Sequence, residues 1–315
     1  MSAVRLGIVG CGIAMRELHY PALSELRDLF SVVGVTSRTR ESAETCAALF
    51  GTESYAYDEL LRRVEAVDIA VPTHLNRGLI EKALDAGVHV ICEKPIAESA
   101  ETGEKIVEIA ERAEPVLYIA ENYRHYTAYA KARELLKEIG EPEFVLYSRF
   151  QNMEKDAKYA GTGWRKEPKH IGGFLSDGGV HDVAAMRMVV GDVKRVKAFA
   201  SIVRGYLGSY DTMAASLLFE NGIIGNYSVS YGLYGEDLFM VSGTEGRMRI
   251  DKKAVRIEKN GGENEIRIGE EDTYKRELID FYEVLKGKKN SLGSPEEALK
   301  DLMVIEEAVK SSECA

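Results

Sequence analysis

Up to about residue 121 the chain alternates short, uninterrupted apolar runs with longer amphipathic stretches, and this rhythm constrains the fold more than any other feature. The apolar runs cover residues 4–9, 31–35, 66–71, 88–92 and 116–120. Between them, helical periodicity spans about 13–28, 40–50, 74–86 and 99–112, the last opened by Ser99 as an N-cap. Strands buried on both faces read as continuous apolar runs. With right-handed crossovers, such runs joined by helices build a doubly wound parallel sheet.

Past residue 121 the rhythm changes. A helix near 127–139, a strand near 143–150 and a helix near 178–190 precede several consecutive strands. Turns at Asn221-Gly222 and Asn260-Gly261-Gly262 separate those strands, which is the signal for antiparallel pairing. Two helices, near 274–286 and 295–311, end the sequence. The overall class is therefore α/β, with two domains predicted: 1–121, a doubly wound parallel sheet, and 122–315, an α+β domain whose mostly antiparallel open sheet carries helices on one face. A length of 315 residues suits two domains.

Lys and Arg number 41 against 51 Asp and Glu, so the formal charge is −10. That balance argues against nucleic acid or an anionic membrane as partner, while leaving room for a local basic patch. Cys11, Cys46, Cys92 and Cys314 show neither CxxC spacing nor the density of a secreted scaffold, so neither disulfides nor a metal site is expected. Met1 leads almost directly into the first apolar run, with no signal peptide and no 18-residue apolar span, so the expected location is the cytoplasm.

The first run ends in Gly7-Ile8-Val9-Gly10-Cys11-Gly12, with Ile13 opening a helix. Gly10 and Gly12 fill the first two positions of GxGxxG, one for a tight turn and one for close approach of backbone to a pyrophosphate. Met15 stands at the third position, a departure expected to loosen helix-to-strand packing. A bare strand-to-helix turn is the plain alternative, but placement after the first strand of a βαβ pattern favours a Rossmann dinucleotide site. The second run ends at Val35-Thr36-Ser37-Arg38-Thr39-Arg40, without the acid that would bond an NAD ribose. Ser37 and Arg38 can instead hold a 2′-phosphate, so the reading favours NADP over NAD.

Two further stretches carry chemistry. The run 88–92 leads into Glu93-Lys94-Pro95, which puts a lysine at the carboxyl end of a parallel strand, the edge where open α/β sheets bind ligands. Gly172-Gly173 leads to Asp177 and His181, spaced i, i+4 on one helical face. Taken alone, Asp177 reads as an N-cap and His181 as a satisfied histidine on the helix face.

Taken together these residues carry a resemblance. Gly10-Cys11-Gly12 with His19-Tyr20-Pro21-Ala22-Leu23, Ala86-Gly87-Val88-His89-Val90 with Glu93-Lys94-Pro95, Trp164-Arg165, Gly172-Gly173 to Asp177 and His181, and Ser242-Gly243-Thr244-Glu245-Gly246 occur in one order along nearly the whole chain. The set resembles the Gfo/Idh/MocA family of glucose-fructose oxidoreductase and inositol dehydrogenase. The resemblance implies an NAD(P)-dependent oxidoreductase acting on a sugar, polyol, cyclitol or related small molecule, and a homodimer or homotetramer built through the C-terminal sheet. It implies Lys94, His181 and Asp177 as catalytic residues. His181 would act as proton acceptor or donor, Lys94 would stabilise the alkoxide, and Asp177 would orient His181 or bind a neighbouring hydroxyl. It assigns cofactor contacts to Gly10, Gly12, Ile13, Ser37, Arg38, Pro72, Asn76, Glu93, Lys94, Asn122, Trp164 and Arg165. Asn122-Tyr123-Arg124 match a cofactor and substrate rim, with simple surface placement as the alternative.

The sequence departs from the family at three places. Asn76 stands where many members have histidine, Ala184 where an acid is common, and Asp182 lies beside His181 instead, pointing to an atypical substrate. Lys155, Lys158, Arg165, Lys166, Lys169 and His170 form a basic loop that either binds an anionic ligand or is simply solvated. A non-catalytic dinucleotide-binding regulator and an NAD-dependent glycosidase are the alternative functions.

Overall fold

The computed structural model describes residues 3–313, so Met1 and Cys314 lie outside the described residues. Five strands, β1 (Val4–Val9), β2 (Phe30–Thr36), β3 (Ala66–Ile69), β4 (His89–Glu93) and β5 (Leu117–Ala120), form one sheet in the order β2-β1-β3-β4-β5. Every pair is parallel. β3 and β5 are buried at every position, as their unbroken apolar runs required. Local signals set the helix ends. Thr39 accepts from the Ser42 amide (3.2 Å) to start Arg40–Phe50, and Gly51 ends it at φ 68°. Ser99 caps Ala100–Arg112 through the Thr102 amide (3.2 Å), as read from the sequence.

The second sheet has eight strands: β6 (Pro142–Phe150), β7 (Val193–Ser201), β8 (Thr212–Phe219), β9 (Ile224–Ser230), β10 (Leu238–Gly243), β11 (Gly246–Ile250), β12 (Ala254–Lys259) and β13 (Gly262–Arg267). Their order is β13-β12-β11-β10-β6-β9-β8-β7, antiparallel throughout except for the parallel pair β6 and β9. Inward positions such as Val145, Tyr147, Tyr227 and Val229 are buried. Outward positions include Phe199, 73% exposed, and Ile224, 53% exposed.

By compactness the chain divides into residues up to His125 with Asp272–Leu299, and Tyr126–Glu271 with the segment from Lys300 onward. The predicted single crossing at 121/122 differs from this division because the chain returns. Helix Thr273–Leu285 buries Leu278, Phe281 and Val284 in one cluster with Leu6, Ile8 and Phe30. Each such side chain contributes about 1.5–3 kcal/mol. The Phe281 ring stacks on Phe30 (6.2 Å between centroids), and Tyr118 donates its hydroxyl to Asp280 Oδ2 (2.8 Å). An amphipathic pattern shows that a helix has an apolar face without showing which sheet it covers.

Smaller differences follow from local chemistry. The helix predicted from 178 begins at Phe174, so Asp177 lies inside its first turn and is not a cap. The turns after Ile13 widen to a π-type segment, Met15–His19, before helix Tyr20–Glu25. Met15, at the third glycine position, is fully buried there. A side chain where the motif has glycine needs room between helix and strand, and here it lies at the start of the widened turn.

Candidate active site

All three loops of interest in the first unit leave the carboxyl edge of the parallel sheet. Gly10 follows β1 at φ 94°, and a Cβ there would stand 2.3 Å from the Ala70 carbonyl oxygen and 2.7 Å from Val71. Gly12 differs: a Cβ on it would meet nothing within 4 Å. The first glycine is dictated by backbone packing, whereas the second leaves an open helix N-terminus beside half-buried Ile13. Gly10→Ala should therefore destabilise the protein by about 2–4 kcal/mol, read from urea unfolding. Gly12→Ala should leave unfolding unchanged and weaken dinucleotide binding.

At the end of β2, Ser37 donates to Ser42 Oγ (3.1 Å) and Arg40 pairs with Glu44 (2.6 Å). Arg38 is exposed and forms no ion pair among the described residues. An open helix N-terminus and an acid-free strand end with an uncommitted guanidinium fit a dinucleotide phosphate chain. Cys11 lies within the glycine turn, where a hydrogen bond from Cys46 holds its thiol below the ordinary pKa. Cys11, Cys46 and Cys92 are buried free thiols.

β4 delivers Glu93 and then Lys94, which is half-buried and joined to Pro95 by a cis peptide. Asn76, predicted as a cofactor contact, is buried and donates from Nδ2 to the carbonyls of Pro95 (3.1 Å) and Ile96 (3.4 Å). It therefore braces the lysine loop. Pro72 is half-buried and starts the short 3-10 turn Thr73–Leu75. Glu93 Oε1 accepts from His19 Nε2 (2.9 Å), and His19 Nδ1 donates to Asp68 Oδ2 (2.7 Å). Burial alone would lower the His19 pKa, but the Asp68 and Glu93 carboxylates raise it well above the usual imidazole value. Nearby Glu277 is pushed well above the carboxylate range by burial and by the Glu93 charge. Asn122, expected at a cofactor rim or on the surface, is buried and donates to Thr273 Oγ1 (2.9 Å). Tyr123 and Arg124 are buried as well, with Arg124 donating to the carbonyls of Leu292 (3.2 Å) and Glu297 (3.1 Å).

In the second unit, helix Phe174–Val189 carries Asp177 and His181, both half-buried one turn apart. Asp177 Oδ2 accepts from Arg165 Nε (2.7 Å). The Arg165 guanidinium lies over the Trp164 ring (4.0 Å) and the Tyr159 ring (5.1 Å), so Trp164 and Arg165, predicted to touch cofactor, are gathered around Asp177. Asp182 is fully buried and accepts from Tyr147 Oη (2.8 Å), Tyr227 Oη (2.8 Å) and Arg149 Nη1 (2.9 Å). It ties the helix to the sheet and is not a displaced substrate acid. Of the basic loop, Lys155, Lys158, Lys166 and Lys169 are exposed, with Lys158 over the Tyr159 ring (5.2 Å).

Residues 4–121 match the oxidoreductase family with an NAD-binding Rossmann fold, and residues 129–249 match the GFO/IDH/MocA C-terminal domain. The chain belongs to the GFO/IDH/MocA oxidoreductase family. Within it, an oxidoreductase structure from Thermotoga maritima is 48% identical at a TM-score of 0.95, covering 98% of this chain and 97% of that one. An uncharacterized protein of Saccharomyces cerevisiae is 32% identical over 99% of this chain and 97% of its own length. A D-apiose dehydrogenase of Paraburkholderia graminis is 27% identical over 77% of this chain and 66% of its own. The protein is an NAD(P)-dependent oxidoreductase acting on hydroxy and carbonyl groups. Among the described residues, no helix is long and apolar enough to cross a membrane.

No sequence motif marks a role for His19, Asp68 or Glu277. A usable signal was present for Asp68, a lone carboxylate within the apolar run 66–71. An acid buried in a central strand requires a partner, and the chain offers only 6 histidines.

Proposed function

We propose that this GFO/IDH/MocA oxidoreductase uses NADP in preference to NAD and acts on a hydroxyl or carbonyl carbon of a sugar or related polyol. The observation that carries the cofactor preference is Arg38, exposed and uncommitted at an acid-free end of β2. Sugar substrates are supported by the D-apiose dehydrogenase relative.

Gly10, Gly12 and Ile13 shape the helix N-terminus for the pyrophosphate, and Ser37 with Arg38 holds the 2′-phosphate. Pro72 and Glu93 complete the cofactor edge. When bound, the nicotinamide supplies or accepts the hydride. Lys94 donates to the reacting oxygen and stabilises the negative charge that develops on it. His181 takes the hydroxyl proton in oxidation and returns it in reduction. Asp177 serves indirectly: its carboxylate is held by Arg165, and it fixes the helical turn that presents His181. The outward face of the second sheet, with Phe199 and Ile224 exposed, meets a second copy in a homodimer or homotetramer. Three buried free thiols suit a reducing cytoplasm.

The test is a thermal-shift comparison. NADPH should raise the melting temperature more than NADH at equal concentration. Arg38→Ala should weaken NADPH binding roughly 10- to 100-fold, the range for a charge-assisted phosphate bond, and leave NADH unaffected. Equal shifts with both cofactors, or an indifferent Arg38→Ala, would overturn the preference.

A further inference from the structure

We propose that His19 is a positioning residue for Lys94: clamped between Asp68 and Glu93, its ring fixes the end of β4 from which the lysine departs. The inference rests on the reading of Lys94 as the group that meets the substrate oxygen.

Three elements converge on this ring. His19 ends the widened turn behind the glycine loop, Asp68 lies on central β3, and Glu93 is the last residue of β4. Both ring nitrogens lie within hydrogen-bond distance of carboxylate oxygens, at 2.7 and 2.9 Å. A neutral imidazole has one N–H, so serving two carboxylates requires the doubly protonated ring. The clamp is therefore a cation bridging two anions on adjacent strands, with only 1% of His19 exposed.

Such a cluster is a poor way to stabilise a sheet. Apolar residues of similar volume commonly do as well or better than a buried ion pair, because desolvation offsets most of the attraction. What a charged clamp adds is a unique geometry, and here the geometry belongs to the segment carrying Lys94. A second brace acts on the same segment from the other side, since Asn76 holds the carbonyls of Pro95 and Ile96. Residue 94 thus sits between one anchored side chain and two anchored carbonyls. Helix Thr273–Leu285 closes the cluster with Glu277, 1% exposed, whose Oε2 has no hydrogen-bond partner among the described residues. Burial pushes the pKa of this carboxyl well above the carboxylate range. The Tyr274 ring lies 6.1 Å from that of His19 and walls the same side.

The experiment uses the full chain with NADPH and, in parallel, the His19→Gln, Asp68→Asn and Lys94→Ala variants. Glutamine can donate to one carboxylate but cannot bridge both. In His19→Gln, amide hydrogen exchange at Lys94 and Ile96 should rise about tenfold or more, with exchange in β2 unchanged. Turnover on a sugar substrate should fall up to roughly a hundredfold in kcat, the scale of a misplaced catalytic group, with little change in KM. Asp68→Asn preserves shape and removes one charge, so it should move both readouts in the same direction by less, and it serves if His19→Gln does not fold. Unchanged exchange at Lys94 and Ile96 in the folded variants overturns the clamp, whatever the activity. Raised exchange with a fully active Lys94→Ala supports the clamp and overturns the role of Lys94 instead, so the two failures are distinguishable.

Discussion

Lys94→Ala should turn over a sugar substrate roughly a hundred- to a thousandfold more slowly than the unaltered protein, the cost of losing one preorganised donor to a developing oxyanion. The loss should fall on kcat and kcat/KM together, because the ammonium acts on charge that exists fully only in the transition state. NADPH affinity should change little, since the glycine turn and the Ser37 to Arg38 strand end lie on other loops of the same sheet. Stability should stay within about 0.5 kcal/mol, because a half-buried lysine at a sheet edge holds up no core. Lys94→Arg should restore little activity: a planar guanidinium on a longer side chain presents its donors in a different direction. Steady-state kinetics with spectrophotometry at the nicotinamide band give both parameters. A kcat/KM equal to that of the unaltered protein would remove Lys94 from the reaction.

The parallel sheet was legible because a strand buried on both faces writes itself as a continuous apolar run, and β3 and β5 are buried at every position. Gly10 was legible for a similar reason, since at its backbone angle a Cβ would stand 2.3 Å from the Ala70 carbonyl oxygen and no side chain is tolerated. Long-range partnership was not. Nothing in the periodicity of residues 274–286 says that Phe281 stacks on Phe30, so the return of the chain to the first unit went unread. Polar side chains suffered most from this blindness. Asn76 and Asn122 match positions associated with cofactor, and packing also gives the first the Pro95 and Ile96 carbonyls and the second Thr273, partners that no motif announces. Motif matching locates a residue along the chain. Which of its neighbours claims its hydrogen bonds is decided by packing that one sequence does not display. The carboxylate of Asp177 shows the same limit, because its partner Arg165 lies twelve residues upstream in a loop that reads as a solvated charge run.

Adjacent residues with opposite duties give the second large effect. His181 and Asp182 follow each other on helix Phe174–Val189, so their side chains leave the helix about 100° apart. One is half-buried, and the other is sealed against the sheet by Tyr147, Arg149 and Tyr227. Asp182→Ala should therefore cost about 3–5 kcal/mol of stability, because it removes from the interior the one carboxylate that accepts from Arg149 and from two tyrosine hydroxyls. Asp182→Asn should cost less, since an amide oxygen still accepts from one tyrosine while the attraction to Arg149 is lost. His181→Ala should do the reverse: urea unfolding nearly unchanged, and turnover lowered roughly 100- to 10,000-fold as befits a lost proton-transfer group. If Asp182→Ala instead melts like the unaltered protein while activity collapses, the carboxylate belongs to the reaction and not to the attachment of helix to sheet. Should His181→Ala prove as unstable as Asp182→Ala, the imidazole is part of the packing, and the proton must be moved by another group.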